Sequence, residues 1–161
     1  MSKKHPVIAI TGSSGAGTST VKNAFKHLFE RVGAKPVVIE GDSFHRYDRD
    51  EMKRVMEKKE KIGNRYFSHF GPEANLFGEL EKTFKEYGEK GHCKRRYYIH
   101  TDEEGDPFGK KAGEFTPWED VGRNSDLLFY EGLHGGVKDG SIDVAKYVDL
   151  LIGVVPVVNL E

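Results

Sequence analysis

Cysteine is almost absent from this sequence, since Cys93 is the single one among 161 residues. One thiol cannot form an intrachain disulfide, so packing must hold the fold together, and a reducing compartment is expected. Long apolar runs are absent too. No stretch reaches the roughly 18 residues that a membrane helix needs, and the start lacks the apolar centre of a signal peptide. We expect a soluble, cytoplasmic protein that does not enter a membrane.

An excess of charge of one sign is also missing. The net charge is −1, with 32% charged and 37% hydrophobic residues, which is ordinary for a globular protein. A chain with this balance offers no broad basic surface, so we expect no nucleic-acid partner. Local basic clusters can still serve a small anionic substrate.

Two kinds of catalytic pattern are lacking. The seven histidines show neither H-x-x-x-H nor Cys/His spacing, which argues against zinc. No G-x-S-x-G sequence is present, so a Ser-His-Asp hydrolase has no support. The catalytic groups must therefore be sought elsewhere in the chain.

The first 42 residues predict a β-loop-α-β unit. Val7–Thr11 is a short, β-branched apolar run, which is typical of a buried strand. After a glycine-rich loop, residues 19–32 carry an apolar stripe at helical spacing, and Gly33 is a natural helix end. Pro36 then introduces a second strand, V-V-I-E.

The rest of the chain continues this alternation. Asp48 to about Lys61 predicts a polar helix that begins with a capping box. A further helix is predicted to open at Pro72 and end at Gly88, and a strand is predicted over residues 95–101. D-L-L-F-Y-E-G and V-D-L-L-I-G-V-V predict two more buried strands. The pattern favours one α/β domain with three layers and a mainly parallel central sheet.

The loop G-S-S-G-A-G-T-S-T, residues 12–20, nearly matches the phosphate-binding pattern G-x-x-x-x-G-K-[ST]. Thr18 stands where that pattern has lysine. The loop could be a plain strand-to-helix turn, but a buried strand leads into it and an amphipathic helix leaves it. Backbone N–H groups at such a helix start can bind phosphate oxygens. Ser19, or else Thr20, would supply a hydroxyl for Mg²⁺.

Asp42 follows the second predicted strand, in the segment E-G-D-S-F-H-R-Y. Ligands collect beyond the carboxyl ends of strands in open α/β sheets, and a carboxylate there can accept a proton from a substrate hydroxyl. The alternative is an aspartate that caps the next turn. Four potential cations follow, which either hold an anionic substrate or cover a solvated helix: His45, Arg46, Arg49 and Lys53.

Two further segments carry candidate groups. In L-L-F-Y-E-G-L-H-G-G, Glu131 follows an apolar strand as a metal-side carboxylate would, although it could simply bind loop amides. His134 is a ligand contact or an ordinary loop histidine. In R-R-Y-Y-I-H-T, strand alternation would put Arg96, Tyr98 and His100 on one face, where they could contact a sugar phosphate or form an exposed edge.

Taken together, these segments resemble one family. V-I-A-I-T-G-S-S-G-A-G-T-S-T, V-V-I-E-G-D-S-F-H-R-Y, F-G-P-E-A-N, Y-Y-I-H-T and L-F-Y-E-G-L-H-G-G are similar, in order and over nearly the whole chain, to the bacterial phosphoribulokinases. These belong to the phosphoribulokinase/uridine kinase group of P-loop kinases. In the bacterial branch the loop likewise reads G-A-G-T, so the resemblance makes the missing lysine a family trait.

The resemblance implies a P-loop kinase fold and transfer of the γ-phosphate of MgATP to O1 of D-ribulose 5-phosphate. Asp42 would be the catalytic base, and Ser19 and Glu131 would lie near Mg²⁺. The implied ATP-binding residues are Gly12, Ser13, Ser14, Gly15, Ala16, Gly17, Thr18, Ser19 and Thr20. The implied sugar-phosphate residues, with Arg49 favoured among them, are His45, Arg49, Tyr98, His100 and His134. It also implies a homo-oligomer with NADH and AMP as effectors.

In the family, V-V-N-L-E is followed by a lid rich in lysine and arginine, whereas this chain ends at Glu161. We therefore expect residues 1–161 to be one kinase domain cut before its lid and nearly inactive alone, since phosphoryl transfer needs several cations. Two alternatives stay open. One is a related kinase with another acceptor, such as uridine or a different sugar phosphate. The other is a nucleotide-sensing domain without catalysis, although it would need neither Asp42 nor Glu131.

Overall fold

A computed structural model describes residues 4–13 and 15–156. The strands are β1 (Val7–Gly12), β2 (Pro36–Glu40), β3 (Cys93–Arg95), β4 (Glu119–Val121), β5 (Leu127–Gly132), β6 (Lys138–Asp139), β7 (Ile142–Asp143) and β8 (Leu150–Val154). The helices are α1 (Thr18–Val32), α2 (Arg49–Lys61), α3 (Phe77–Lys90) and α4 (Asp102–Gly105). Short 3₁₀ turns cover Gly41–Phe44, Asp106–Phe108 and Val144–Tyr147.

The central sheet is parallel and has the strand order β2-β5-β1-β8. Its two inner strands, β1 and β5, contain more buried residues than the two edge strands, as expected for strands that are covered on both faces. Two small antiparallel pairs, β3–β4 and β6–β7, lie outside this sheet. No helix in the described part of the chain is both long and apolar enough to cross a membrane.

Apolar side chains of β5 alternate between the two faces of the sheet. Leu127 and Phe129 pack with Phe29 of α1, whereas Leu128 and Tyr130 pack with Phe84 of α3. Helices therefore cover both faces. The predicted three-layer α/β fold with a mainly parallel sheet is confirmed.

The C-terminal end of α1 and the N-terminal capping box of α2 are as predicted. α1 ends before Gly33, whose φ of 70° is the left-handed conformation that glycine adopts most easily. At α2, the backbone N–H of Glu51 donates to Asp48 Oδ1 at 2.7 Å, and the N–H of Asp48 donates to Glu51 Oε2 at 3.2 Å. This is the predicted capping box.

Both predicted ends of α3, Pro72 and Gly88, are wrong, because the helix begins at Phe77 and runs to Lys90. The preceding residues are held by pairing with a distant loop instead. The N–H of Leu76 donates to the carbonyl of Phe44, and the N–H of Arg46 donates to the carbonyl of Ala74, both at 2.8 Å. Tertiary hydrogen bonds thus override the local helix preference of proline at a first turn.

The predicted strand over residues 95–101 is also wrong beyond its first residue. β3 ends at Arg95. Beyond it the chain makes an isolated bridge between Tyr98 and Phe115, flanked by backbone hydrogen bonds from Thr116 to Tyr97 and from Ile99 to Glu114, but no continuous strand. The guanidinium of Arg96 donates to the carbonyls of Ser43 and His45 at 2.7 and 2.6 Å. Its Cζ also lies 3.7 Å from the centre of the Phe115 ring, which the Tyr98 ring contacts at 5.3 Å, so Arg96 and Tyr98 pack against the same aromatic side chain.

Candidate active site

A cleft of about 830 Å³ opens at the carboxyl ends of β1, β2 and β5. Its walls contain most of the residues that the sequence singled out. They include Gly12, Ser13, Gly15, Thr18 and Ser19 from the glycine loop and α1, and also Asp42, His45, Tyr98, His100, Glu131 and His134. The fold thus brings groups from four separate segments into one site.

The glycine loop joins β1 to α1. Gly15 and Gly17 have φ values of 81° and 96°, where residues with a Cβ are strained, and open space lies beside both. Gly17 is the N-cap of α1, and no side chain caps the helix there. A helix start without a capping side chain or an acidic first turn suits an anion such as phosphate. Ser14 lies outside the described residues.

Close backbone contact holds the ends of β2 and β5 together. Glu40 and Glu131 are partners in the parallel register, and each is followed by a glycine. A Cβ on Gly132 would lie 2.6 Å from the Tyr130 hydroxyl and 2.7 Å from the Cα of Gly41. Only glycine fits at this approach, which keeps Asp42, directly after Gly41, on the same side of the cleft as Glu131.

Asp42 faces two histidines across the cleft. Its Oδ1 lies 3.3 Å from His45 Nε2, and its Oδ2 lies 3.8 Å from His100 Nε2. The hydrogen bond with His45 lowers the pKa of Asp42 and outweighs the effect of burial. Asp42 is therefore an ionised carboxylate at neutral pH, which is the form that a general base requires.

His45 is held from behind by Asn75. His45 Nδ1 lies 2.8 Å from Asn75 Oδ1, while Asn75 Nδ2 donates to the carbonyls of His69 and Gly71. These two carbonyls fix the amide orientation, so the Nδ1 of His45 must carry a proton. Burial opposes the charged ring, but the bonds to Asp42 and Asn75 outweigh it and raise the pKa of His45.

Tyr98 and His100 form the wall next to this pair. The Tyr98 ring lies 5.9 Å from the His45 ring and 5.1 Å from the His100 ring, edge to face in both cases. The backbone N–H of His100 donates to Glu104 Oε2 at 2.9 Å, which fixes the position of the segment.

Arg49 lies behind this wall rather than in the cleft. Its guanidinium donates to the carbonyl of His100 at 3.3 Å, and its side chain lines a neighbouring depression along α2. Its role in substrate binding stays a prediction, and its observed contact supports the backbone of a residue that does line the cleft.

His134 lines the cleft next to Phe70. Its Nε2 lies 2.9 Å from the carbonyl of Phe70, and its ring packs 4.7 Å from the ring of Phe77. Burial lowers the pKa of His134, so the ring is neutral at pH 7, with Nε2 as the donor. A neutral His134 can contribute a hydrogen bond or a contact surface, but not a positive charge.

Three residues in or behind the cleft were missed from sequence. Lys22 and His69 line it, and buried Asn75 supports His45. Lys22 could have been found, because it lies four residues after Thr18 on the same helix face. His69 and Asn75 lie in an irregular segment whose path depends on tertiary contacts, so no local spacing indicates them.

A parallel sheet whose first strand leads through a glycine loop into a helix, with acidic groups at the ends of two adjacent strands, defines the P-loop kinase class of fold. Residues 7–161 match the Phosphoribulokinase / Uridine kinase family, and the chain belongs to this family.

Similar proteins cover the whole chain. It is 60% identical over 161 residues to the chromosomal phosphoribulokinase of Cupriavidus necator and 55% identical to a probable phosphoribulokinase of Escherichia coli, matching 55% of each. The chain thus spans about half the length of these relatives. The solved phosphoribulokinase from Rhodobacter spheroides superposes with a TM-score of 0.87 at 49% identity, over 99% of this chain and 54% of that one. A possible uridine kinase from Bacillus stearothermophilus, at 18% identity and a TM-score of 0.63, shares the fold.

Proposed function

We propose that this chain is the part of an ATP-dependent kinase that carries the catalytic base, and that the kinase transfers the γ-phosphate of ATP to O1 of D-ribulose 5-phosphate. The observation that carries the proposal is the meeting of the glycine loop, Asp42 and the wall of Tyr98 and His100 in one cleft. The phosphoribulokinase relatives support the choice of acceptor.

Asp42 is the proposed base. It accepts the proton of the sugar hydroxyl as the oxygen attacks the phosphoryl group, and its lowered pKa keeps it ready to do so at neutral pH. Protonated His45 beside it can donate a hydrogen bond to a sugar or phosphate oxygen. In that case His45 releases Asp42 as substrate enters, which frees the carboxylate for the proton.

The sugar phosphate is proposed to lie between Asp42 and the aromatic wall. Tyr98, His100 and His134 supply polar atoms around that space. Arg49 would add positive charge only if its guanidinium turned from the His100 carbonyl toward the cleft, and we retain it as a proposed phosphate contact.

Residues 12–20 are proposed to bind the phosphates of ATP through their backbone N–H groups, with Ser19 and Glu131 holding Mg²⁺. In the described part of the chain, no three histidine, cysteine, aspartate or glutamate side chains converge as metal ligands. One carboxylate and one hydroxyl next to a phosphate site nevertheless fit Mg²⁺, which keeps several waters and binds substrate phosphates. Mg²⁺ would neutralise charge on the phosphates as the transfer proceeds.

The remaining assignments are proposals for the whole protein. We place it in the cytoplasm as a homo-oligomer, with NADH and AMP as effectors. The cationic lid is proposed to belong to the portion of the relatives that this chain does not span. The chain alone then lacks much of the charge that stabilises the transferred phosphoryl group.

The test is a coupled assay of ADP formation with two proteins. One is the chain itself, and the other is the completed chain, in which it is joined to the unmatched remainder of the Cupriavidus necator relative. We expect the completed chain to phosphorylate ribulose 5-phosphate and the chain alone to be slower by about 10²-fold or more. If the completed chain preferred uridine as the acceptor, it would be a related kinase and the proposed acceptor would be wrong. Normal turnover by the chain alone would contradict the lid proposal.

Asp42→Asn in the completed chain tests the base. The amide keeps the size of the side chain but cannot accept the proton, so kcat should fall about 10²- to 10⁴-fold. ATP affinity should change little. Asp139→Asn, at an exposed site in β6, is the matched control. An Asp42→Asn protein with full activity would instead favour the reading of a sensor or of a different base.

A further inference from the structure

Lys22 of α1 contacts the acidic residues at the ends of both β2 and β5. Its Nζ lies 3.0 Å from Glu40 Oε1 and 3.6 Å from Glu131 Oε2. The side chain is 30% exposed and lines the cleft together with Thr18 and Ser19. Among the lysines and arginines that the structure describes, Lys22 is the one that lines this cleft.

Two carboxylates next to a phosphate site need a positive neighbour. Glu40 and Glu131 are register partners on adjacent parallel strands, so their side chains lie close together. Without a cation they would repel each other and any phosphate bound at the loop. Lys22 contacts both, and part of that interaction is shielded from solvent, where charge pairs are screened less.

Lys22 lies close to Thr18, the residue that stands where the phosphate-binding pattern has lysine. It lies one helical turn beyond Thr18 on α1, so its side chain leaves the same helix face and reaches the cleft from the side of the strand ends. Thr18 itself carries no charge. Lys22 thus places a positive charge in the cleft one helical turn beyond the position where the phosphate-binding pattern has its lysine.

We propose that Lys22 is a positioning residue of the phosphate site. It neutralises the pair of Glu40 and Glu131 so that anionic phosphate can enter, and it holds the carboxylate of Glu131 toward the cleft. The proposal rests on the proposed function only in that the ligand of the loop is a nucleotide. It requires no catalytic step and no part of the acceptor site.

The test measures ADP binding to the chain by calorimetry, in EDTA so that no metal contributes. Lys22→Met keeps much of the side chain but exposes the two carboxylates to the phosphates, and ADP affinity should fall about tenfold. Lys26→Met removes the same charge from an exposed site one turn further along α1 and should leave affinity within about twofold. Equal effects of the two substitutions would overturn the proposal.

Two further variants separate charge neutralisation from a loss of structure. In Lys22→Met/Glu40→Gln one of the two negative charges is gone, so most of the ADP affinity should return. Glu40→Gln alone leaves Lys22 with one acidic partner and should tighten ADP binding roughly threefold. If neither variant binds ADP more tightly than its parent, the proposal fails even where Lys22→Met is poorly folded.

The affinity for Mn²⁺ without nucleotide, measured by electron paramagnetic resonance, should change in the direction opposite to the affinity for ADP. Lys22→Met removes a competitor for the carboxylates, so Mn²⁺ affinity should rise, by roughly threefold. A parallel loss of ADP and Mn²⁺ affinity would mean a damaged site and would count against the proposal. Failure of the kinase assay with normal ADP binding would contradict the proposed function alone.

Discussion

At the scale of single residues, the contact between Asp42 and His45 should make the stability of the folded protein depend on pH. The pKa of Asp42 is lowered from 3.8. Its ionised form therefore stabilises the folded state above pH 3.8, and this stabilisation is lost as pH falls through the lowered pKa. The pKa of His45 is raised from 6.5. Its protonated form therefore stabilises the folded state fully below pH 6.5, and this stabilisation is lost as pH rises through the raised pKa. The contact between Asp42 and His45 therefore stabilises the fold most at pH values between 3.8 and 6.5, the two reference pKa values.

Asp42→Asn should therefore lower the melting temperature more at pH 5.5 than at pH 8.5. Because Asp42 is half exposed, the difference should be modest, about 1–3 °C. Thermal unfolding followed by circular dichroism measures it, with Asp139→Asn as the matched substitution at an exposed site. A larger loss at pH 8.5 would contradict the predicted protonation of His45.

Asn75 gives a second prediction at this scale. Asn75→Ala leaves the Nδ1 of His45 and two backbone carbonyls without their partner, at a cost of about 1–3 kcal/mol in unfolding free energy. His45 would lose its fixed orientation, so KM for the sugar phosphate in the completed chain should rise about tenfold while KM for ATP stays nearly constant. Asn23→Ala, on an exposed position of α1, is the control.

Nitrogen chemical shifts of His45 distinguish a positioning role of Asn75 from a structural one. Protonation at Nδ1 should be uniform in the parent chain and mixed between the two ring nitrogens in Asn75→Ala above the pKa of His45. If the ring nitrogens were unchanged and both KM values rose equally, Asn75 would only support the fold.

At the scale of elements, the close approach of β2 and β5 controls the cleft. A Cβ on Gly132 would meet the Tyr130 hydroxyl and the backbone of Gly41, neither of which can move freely inside the core. Gly132→Ala should therefore cost about 1–3 kcal/mol of unfolding free energy. It should also reduce the activity of the completed chain, because the segment carrying Asp42 would shift from Glu131.

Gly78→Ala is the matched control for that prediction. Gly78 lies within α3, and a Cβ there would meet no heavy atom within 4 Å. Alanine should stabilise the helix by about 0.4–1 kcal/mol and leave the cleft unchanged. Urea unfolding of both variants measures the contrast, and a destabilised Gly78→Ala protein with an unaffected Gly132→Ala protein would refute the argument from close contact.

At the scale of the whole molecule, the sheet order places the glycine loop next to both acidic strand ends. β5 lies between β1 and β2, so Glu131 sits between the loop after β1 and the turn that carries Asp42. This arrangement explains why segments far apart in the chain serve one site. The completed chain should add the remaining cations, and the comparison of its activity with that of the chain alone is the prediction at this scale.

The sequence by itself determined the β-loop-α-β unit, the glycine loop and the ends of α1 and α2. These features depend on neighbours within about one helical turn, such as Asp48 with Glu51 or Val32 with Gly33. The positions of Asp42 and Glu131 could be predicted for the same reason, since Asp42 lies just after a readable strand and Glu131 lies near the end of one.

Only the tertiary structure decided how these parts meet. Lys22 contacts Glu40 and Glu131 because the strand order brings them beside α1, and sequence spacing does not encode that order. The segments before α3 and after β3 follow irregular paths because their backbone groups bind partners far along the chain, as Leu76 binds Phe44. Local propensity does not register such partners, so it predicted the start of α3 too early and carried the strand past Arg95.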